Sequence, residues 1–362
     1  MKRRNFLSVS AAAAGAALQN CAAPGSSESE APKEKKPIRM HVGTQAWRPT
    51  PKNLQYIKRH GVDHIACWPL DVKDDTMADD FSRAREQVEK AGLHLDVVQP
   101  ALLGSPPANA IMLGKDPDRQ REIEYFHNLI QACAKSGIPA FKYNLRVLFA
   151  VRSGLTPGRG GSMYSTWKFE EVKNDPPEAE VGELKADEFW ERITYFLDRV
   201  IPVCNEYKIR AMCHPHDPGV PESGYKGVDR VLGRVEGLKK LVSIQESPYH
   251  GLNLCLGTTA EMLQDPAREL PDVVRYFGER KKIFNIHFRN IRGKRDDFTE
   301  VWQDEGDVNM VELAKLLYEV DYPYMLMPDH MPRHPDDPEY RQGFAWGYGY
   351  IKGVLQALET LT

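Results

Sequence analysis

No stretch of this 362-residue chain reaches the length of about 20 apolar residues needed to span a bilayer. A helical membrane domain is therefore not expected. Basic runs are missing beyond the first few residues and the net charge is −3, which argues against a nucleic-acid partner. No Gly-x-Gly-x-x-Gly follows the first candidate strand, which disfavours a dinucleotide site. Cysteine is sparse: six residues at spacings that form no dense disulfide framework. Cys67 and Cys213 sit in apolar strand-like stretches, and Cys133 and Cys204 on helix-like faces. All four read as buried thiols, and Cys255 stands apart from them.

What is present begins with an address. Met1-Lys-Arg-Arg-Asn-Phe-Leu7 reads as a twin-arginine export signature, followed by a short Ala-rich apolar stretch to Leu18. Leu18-Gln-Asn-Cys21 offers a lipidation site at Cys21. Residues 1–21 are thus expected to be a signal peptide and 22–37 a Ser/Glu/Pro/Lys tether too polar to bury a core. The expected product is an exported protein, periplasmic or lipid-tethered, with one catalytic domain over 38–362. Oligomeric state is not legible.

From residue 38 onward strand and helix signals alternate. Strands are expected at Ile38–Gln45, His64–Trp68, His94–Gln99, Ala140–Leu145, Ile209–His214, Leu252–Leu256, Ile283–Phe288 and Tyr324–Met327. Several are continuous apolar runs with charges only at their edges, as when both faces of a sheet are covered. Helical patterns fill Lys52–Arg59, Ala78–Ala91, Arg119–Lys135, Ala186–Glu206, Asp229–Ser243, Thr259–Glu279, Met310–Val320 and Tyr340–Leu358. Gly61, Gly92 and Gly137 follow three of them, where a left-handed residue ends a helix. Eight strands interleaved with helices predict a single-domain α/β fold, the (β/α)8 TIM barrel. Two connections are long, 146–185 and 215–226. Met163, Tyr164, Trp167 and Phe169 give the first enough apolar surface to pack as a lid.

Four of the expected strands end in a side chain that can hold a divalent metal: His214, Cys255, His287 and Asp329. Their spacings are 41, 32 and 42 residues, about one strand-plus-helix unit each. In a barrel, all four converge at the C-terminal mouth. Thiolate with imidazole suits Zn2+, whereas the carboxylate keeps Mn2+ or Fe2+ open.

Other polar groups cluster around these four. Arg289 can fork a substrate carboxylate or pair with a loop acid. His330, beside Asp329, is placed for proton transfer or for support of its neighbour. Tyr143 and Asn144 offer hydrogen bonds to substrate hydroxyls or to the core. His216 and Asp217 orient His214 or touch substrate. Asn290 follows Arg289 on the same segment.

His214-Pro-His-Asp-Pro218, Gly251-Leu-Asn-Leu-Cys-Leu-Gly257, His287-Phe-Arg-Asn290, Gly306-Asp-Val-Asn-Met310 and Pro328-Asp-His330 resemble the mannonate dehydratase family in order and spacing. Lys142-Tyr-Asn144 and the long loop after it also fit. The resemblance covers roughly residues 40 to 355. It implies a xylose-isomerase-like barrel holding Mn2+ through His214, Cys255, His287 and Asp329. It further implies dehydration of D-mannonate to 2-keto-3-deoxy-D-gluconate, for which His330 is the expected base. On the residues themselves, catalytic roles are expected for Arg289, His216 and Tyr143, and substrate contacts from Asn144, Asn290, Asp217 and Asp307; His216 stands where the family usually has an Asp. Thr299-Glu-Val-Trp-Gln303 stands where the family places substrate-facing histidines. An exported metal-dependent isomerase, epimerase or other lyase acting on a sugar is therefore the alternative, and a non-catalytic sugar-binding lipoprotein the third reading.

Overall fold

Parallel strand pairing runs unbroken around a ring of eight, so the sheet has no free edge. The structure is a computed structural model that describes residues 36–69, 72–100 and 109–361. The twin-arginine signature, Cys21 and the tether to residue 35 lie outside the described residues.

Along the chain the elements are β1 (His41–Thr44), α1 (Pro51–Arg59), β2 (His64–Cys67), α2 (Met77–Lys90), β3 (His94–Val98), α3 (Ala110–Leu113), α4 (Asp118–Ser136) and β4 (Ala140–Asn144). An excursion follows, with β5 (Gly154–Pro157), β6 (Met163–Lys168) and α5 (Phe169–Val172). The barrel resumes with α6 (Ala186–Tyr207), β7 (Arg210–His214), α7 (Val235–Ile244), β8 (His250–Cys255), α8 (Leu256–Ala260), α9 (Pro266–Glu279) and β9 (Ile283–His287). A hairpin of β10 (Asn290–Lys294) and β11 (Asp297–Val301) precedes α10 (Met310–Glu319), β12 (Met325–Met327) and α11 (Arg341–Leu361). The closed order is β1-β12-β9-β8-β7-β4-β3-β2, the expected (β/α)8 barrel with all eight expected strands in place.

Local chemistry explains most boundaries. Thr50 caps α1 through a bond from Asn53 N, and Asn309 caps α10 by accepting from Val311 N and Glu312 N. Gly61, Gly92 and Gly137 have φ of 69°, 75° and 71°, as their places after helices require. The expected helix over Thr259–Glu279 is two helices instead. Asp265 caps a new start and Pro266 sits in its first turn, a stop-and-restart signal inside an otherwise helical pattern. The α7 helix begins six residues later than expected, at Val235.

The long connection after β4 is ordered. β5 and β6 join the β10–β11 hairpin in a four-stranded antiparallel sheet, order β10-β11-β6-β5. Trp167 anchors it: the ring is fully buried and meets Tyr225 edge-on at 5.2 Å. This sheet lies over the C-terminal mouth, because Arg152, Ser165 and Glu300 line the cavity there together with barrel residues.

Inside the ring, Ala66, Val97, Ala140, Met212, Phe284, Met325 and Met327 form a separate apolar plug. The main core lies between strands and helices. In it Phe126 of α4 is wholly buried, edge-on to Phe196 of α6 at 5.1 Å and 6.0 Å from Phe141 of β4. Replacing Phe126 by Ala should cost about 3–5 kcal/mol through the cavity it leaves. Urea unfolding measures this directly, and a loss below about 1 kcal/mol would mean that this contact does not hold the two helices on the sheet.

Candidate metal centre and active site

Strand alternation decides what reaches the mouth. His214, Cys255 and His287 are the last residues of β7, β8 and β9, and Asp329 lies two residues past β12. Cys255 pairs directly with His287, and His287 with Met327, so side chains on these neighbouring strands share one face. One ligand atom from each of the four lies within 4.8 Å of the others. The His214 and His287 rings are 5.0 Å apart.

The chemistry of the cluster fits a dication. Both ring nitrogens of His287 are buried without a hydrogen-bond partner among the described residues, though Nδ1 lies 3.1 Å from Asp329 Oδ2. Orphaned nitrogens of this kind are costly unless something ligates them. His214 Nδ1 faces the Pro215 carbonyl at 2.7 Å, which sets the tautomer that presents Nε2 as the ligating atom. Burial, with His287 and Lys142 adding to it, keeps His214 neutral, and burial lowers His287 to about 4. Burial pushes the Cys255 thiol up to about 12 while Arg289 Nε, 3.1 Å from Sγ, pulls the other way. Burial also opposes ionisation of Asp329, but His287 and His330 outweigh it and hold the carboxyl well below its usual range. Two neutral imidazoles, a carboxylate and a thiol that needs a cation to ionise form a divalent-metal donor set.

Beside Asp329 opens a cavity of about 470 Å³ whose lining includes Gln45, Arg152, Glu300, Asp329, His330 and Arg333. Gln45 bridges two groups there. Its amide donates to Asp329 Oδ1 at 2.8 Å, and its carbonyl accepts from Lys142 Nζ at 2.5 Å. Burial lowers Lys142 to about 8. His330 sits at the rim with φ of 40°, a left-handed backbone uncommon outside glycine. Burial works against the His330 cation, yet Asp329 and Glu300 raise the ring to about 9. Its Nδ1 is 2.9 Å from Glu300 Oε1.

The structure redistributes several expected roles. Arg289 does not face the cavity. It is engaged by Asp217 at 3.0 Å, by Glu261 at 2.8 Å and by Glu300, and it also donates to Thr258. The ion-pair alternative is what the geometry contains, with three acids in close contact in place of one and Asp329 a fourth at 3.9 Å. Asp217 is committed to Arg152 at 2.6 Å as well as to Arg289. His216 is locked to backbone: its Nε2 lies 2.7 Å from the Leu145 carbonyl and Leu232 N donates to its Nδ1. Tyr143 points away from the barrel axis, its hydroxyl 3.0 Å from His250 Nε2 and its ring 5.1 Å from Phe196. Alternation forces this, because Lys142 and Asn144 occupy the inward positions of β4. Asn290 braces the 303–308 loop by donating to the Gln303 and Val308 carbonyls. Asp307 is exposed and accepts from Gly293 N at 2.7 Å, outside the cavity lining. Asn144 is at the inward end of β4, paired in register with His214, and it too is outside the cavity lining.

Residues that sequence reasoning missed are Gln45, Lys142, Arg152, Glu261 and Glu300. Lys142 carried a readable signal, a lone cation at an inward position of a buried strand. Arg152, Glu261 and Glu300 come from the lid connection, the C-terminal cap of α8 and the hairpin, and nothing in their local pattern announces that they meet.

A (β/α)8 barrel with a four-donor metal cluster at its C-terminal mouth defines the class. A sequence profile of the D-mannonate dehydratase (UxuA) family matches residues 178–362, and the chain belongs to that family. It is 28% identical over 350 residues to the mannonate dehydratase of Geobacillus thermodenitrificans, covering 85% of this chain and 91% of that one. To the Thermotoga neapolitana mannonate dehydratase it is 26% identical over 334 residues, with 81% and 87% covered. The crystal structure of mannonate dehydratase from Streptococcus suis superposes with a TM-score of 0.74 at 24% identity, covering 88% and 94% of the two chains, and shares the fold.

Two outcomes test this account. Cys255→Ser should lose most bound divalent metal, read by elemental analysis of the purified protein, while circular dichroism stays unchanged. Full metal content in the variant would reduce Cys255 to core packing. Arg289→Met leaves Asp217, Glu261 and Glu300 with one guanidinium fewer and should cost about 3–5 kcal/mol in urea unfolding. Parental stability there would show that the acids do not depend on it.

Proposed function

We propose that the chain is a divalent-metal-dependent hydro-lyase acting on D-mannonate or a closely related hexonate. Water leaves across C2 and C3: the C2 proton and the C3 hydroxyl depart, and the resulting enol tautomerises to the 2-keto-3-deoxy acid. The observation carrying this reading is the convergence of His214, Cys255, His287 and Asp329 beside a cavity that also holds His330, in a chain of the mannonate dehydratase family.

A dication held by the four donors would supply charge stabilisation for the carboxylate and C2 oxygen as negative charge develops. The resemblance favours Mn2+ for that place. The chain's own groups do the rest. Arg333, exposed at the cavity rim, is the guanidinium available to a sugar-acid carboxylate, since Arg152 and Arg289 are bound to buried acids. His330 is the proton-transfer group, held by Glu300 with its other face toward the cavity. Asp329 and Glu300 together raise the ring. A ligand cation on Asp329 would remove part of that effect and return His330 toward neutrality, where a group both takes and gives protons well. Lys142 and Gln45 keep Asp329 oriented from below.

One feature favours a second reading, epimerase or isomerase chemistry on a ketosugar. The 299–303 segment brings no imidazole to the cavity: Glu300 turns inward to Arg152, Arg289 and His330. The twin-arginine start further supports an exported enzyme, meeting its substrate outside the cytoplasm.

Metal-stripped protein reloaded with Mn2+ and given D-mannonate should release a 2-keto-3-deoxy acid, detected as the keto-acid chromophore. His330→Asn should retain metal and slow turnover by about 10²–10⁴-fold. No keto acid from a panel of hexonates, alongside interconversion of ketosugars, would move the assignment to the second reading.

A further inference from the structure

The opposite end of the barrel carries a second set of donors, built by strand register. His41 pairs with Met325, a residue of the apolar plug inside the ring, so His41 faces inward. Gly43, two residues on and on the same face, pairs with His64, and His64 pairs with His94. Three histidines at the starts of β1, β2 and β3 therefore share the inner face at the N-terminal opening. The β2–β3 ladder then breaks register. Ile65 pairs with Leu95 but Ala66 with Val97, leaving Asp96 as the one extra residue. A bulge re-aims a side chain, and here it brings the carboxylate onto the histidines' side. Asp96 Oδ2 is 2.6 Å from His64 Nδ1 and 4.0 Å from His41 Nε2.

Two further features point to a ligand. The His41 and His64 ring centroids are 3.7 Å apart, too close for both rings to carry charge comfortably. His41 Nδ1 lies 3.1 Å from the Arg39 carbonyl, so the proton sits on Nδ1 and Nε2 keeps a free lone pair toward Asp96. This carbonyl-fixed tautomer is the usual companion of a metal-ligating histidine. Burial and the neighbouring His64 lower His41, which keeps it in the ligating form. Side-chain exposures of 30% for His41, 26% for His64 and 27% for Asp96 leave the donors sheltered but open to an ion from solvent.

We propose that His41, His64 and Asp96 form a second divalent-cation site at the N-terminal end of the barrel, taking a borderline metal such as Zn2+ and clamping β1, β2 and β3 together. One ligand atom from each lies within 4.8 Å of the others. A tetrahedral ion with bonds of about 2.0–2.2 Å needs donors about 3–4 Å apart, so small side-chain rotations suffice. The proton shared by His64 and Asp96 gives way to the cation, and solvent or His94 fills the fourth position. Mixed imidazole and carboxylate donors favour Zn2+ over Mg2+ or Ca2+. The site is far from the chemistry, at the face where barrels place stability rather than catalysis. It does not rest on the functional reading above.

The test is zinc stoichiometry after removal of free metal, on the whole protein and on His64→Ala and Asp96→Asn, the second of which retains a hydrogen-bonding side chain. The parent should hold one Zn2+ per chain more than either variant, with turnover by the Mn2+-loaded enzyme unchanged. Zinc at a hundredfold excess over its dissociation constant should raise the parent's melting temperature by about 4 °C more than that of either variant. Equal Zn2+ in the parent and both variants would overturn the proposal and leave an ordinary histidine–aspartate hydrogen bond.

Discussion

Closure of the parallel sheet is the constraint from which the rest follows. Once β7, β8, β9 and β12 are neighbours in fixed register, His214, Cys255 and His287 at the ends of the first three have no choice of direction, and Asp329 continues the inward face two residues past β12. A slip of one residue in any ladder would turn its ligand into the helix layer. The residues two positions earlier fill the ring beneath: Met212, Asn253, Asn285 and Met327, with the two amides bonded at 2.6 Å. The metal centre thus rests on a packed floor, which limits how far any donor can relax from its neighbours.

Arg289 connects that floor to the roof. Its guanidinium touches Cys255 on one side and Glu300 of the hairpin on the other, with Asp217 and Glu261 between. Burial raises Arg152's cost as well, but Asp217, Glu300 and Glu261 more than compensate and hold it firmly cationic. Burial and the nearby Asp217 push Glu261 up to about 8, while Arg152 and Arg289 pull it down. The guanidiniums and acids of this cluster lie in a low-dielectric interior. Such a network contributes little net stability but fixes one arrangement of β8, the β9–β10 junction and the lid sheet.

Legibility in the sequence followed periodicity. The eight barrel strands and the four donors were readable because a buried parallel strand is a short apolar run and its terminal polar residue stands out against it. Positions just past the strands were harder. Arg289 looks like a substrate clamp in a linear reading, since the acids that occupy it come from residues 217, 261 and 300, each in a different element. The β10–β11 hairpin escaped notice because its strands are half polar and its partner, β6, lies more than a hundred residues earlier. Tyr143 and Lys142 show how one position changes the outcome: the aromatic faces the helices and the cation faces the metal donors, the reverse of what side-chain type alone suggests.

The two ends of the ring now have distinct physical origins. At the C-terminal mouth the floor is made by regular strands between residues 210 and 329, whereas the cavity walls come from irregular segments: Ala150, Arg152 and Ser165 of the excursion, Glu300 of the hairpin, and Met331 and Arg333 after β12. The four donors are a property of the floor, fixed by closure, whereas Arg333 belongs to the walls. Which hydroxyls and which chain length fit is a property of the walls, which vary without disturbing the ladders. A barrel of this kind can therefore keep its metal chemistry while its substrate changes, and differences in sugar preference between this chain and its relatives should map to residues 150–165 and 300–333 before they map to any of the four donors.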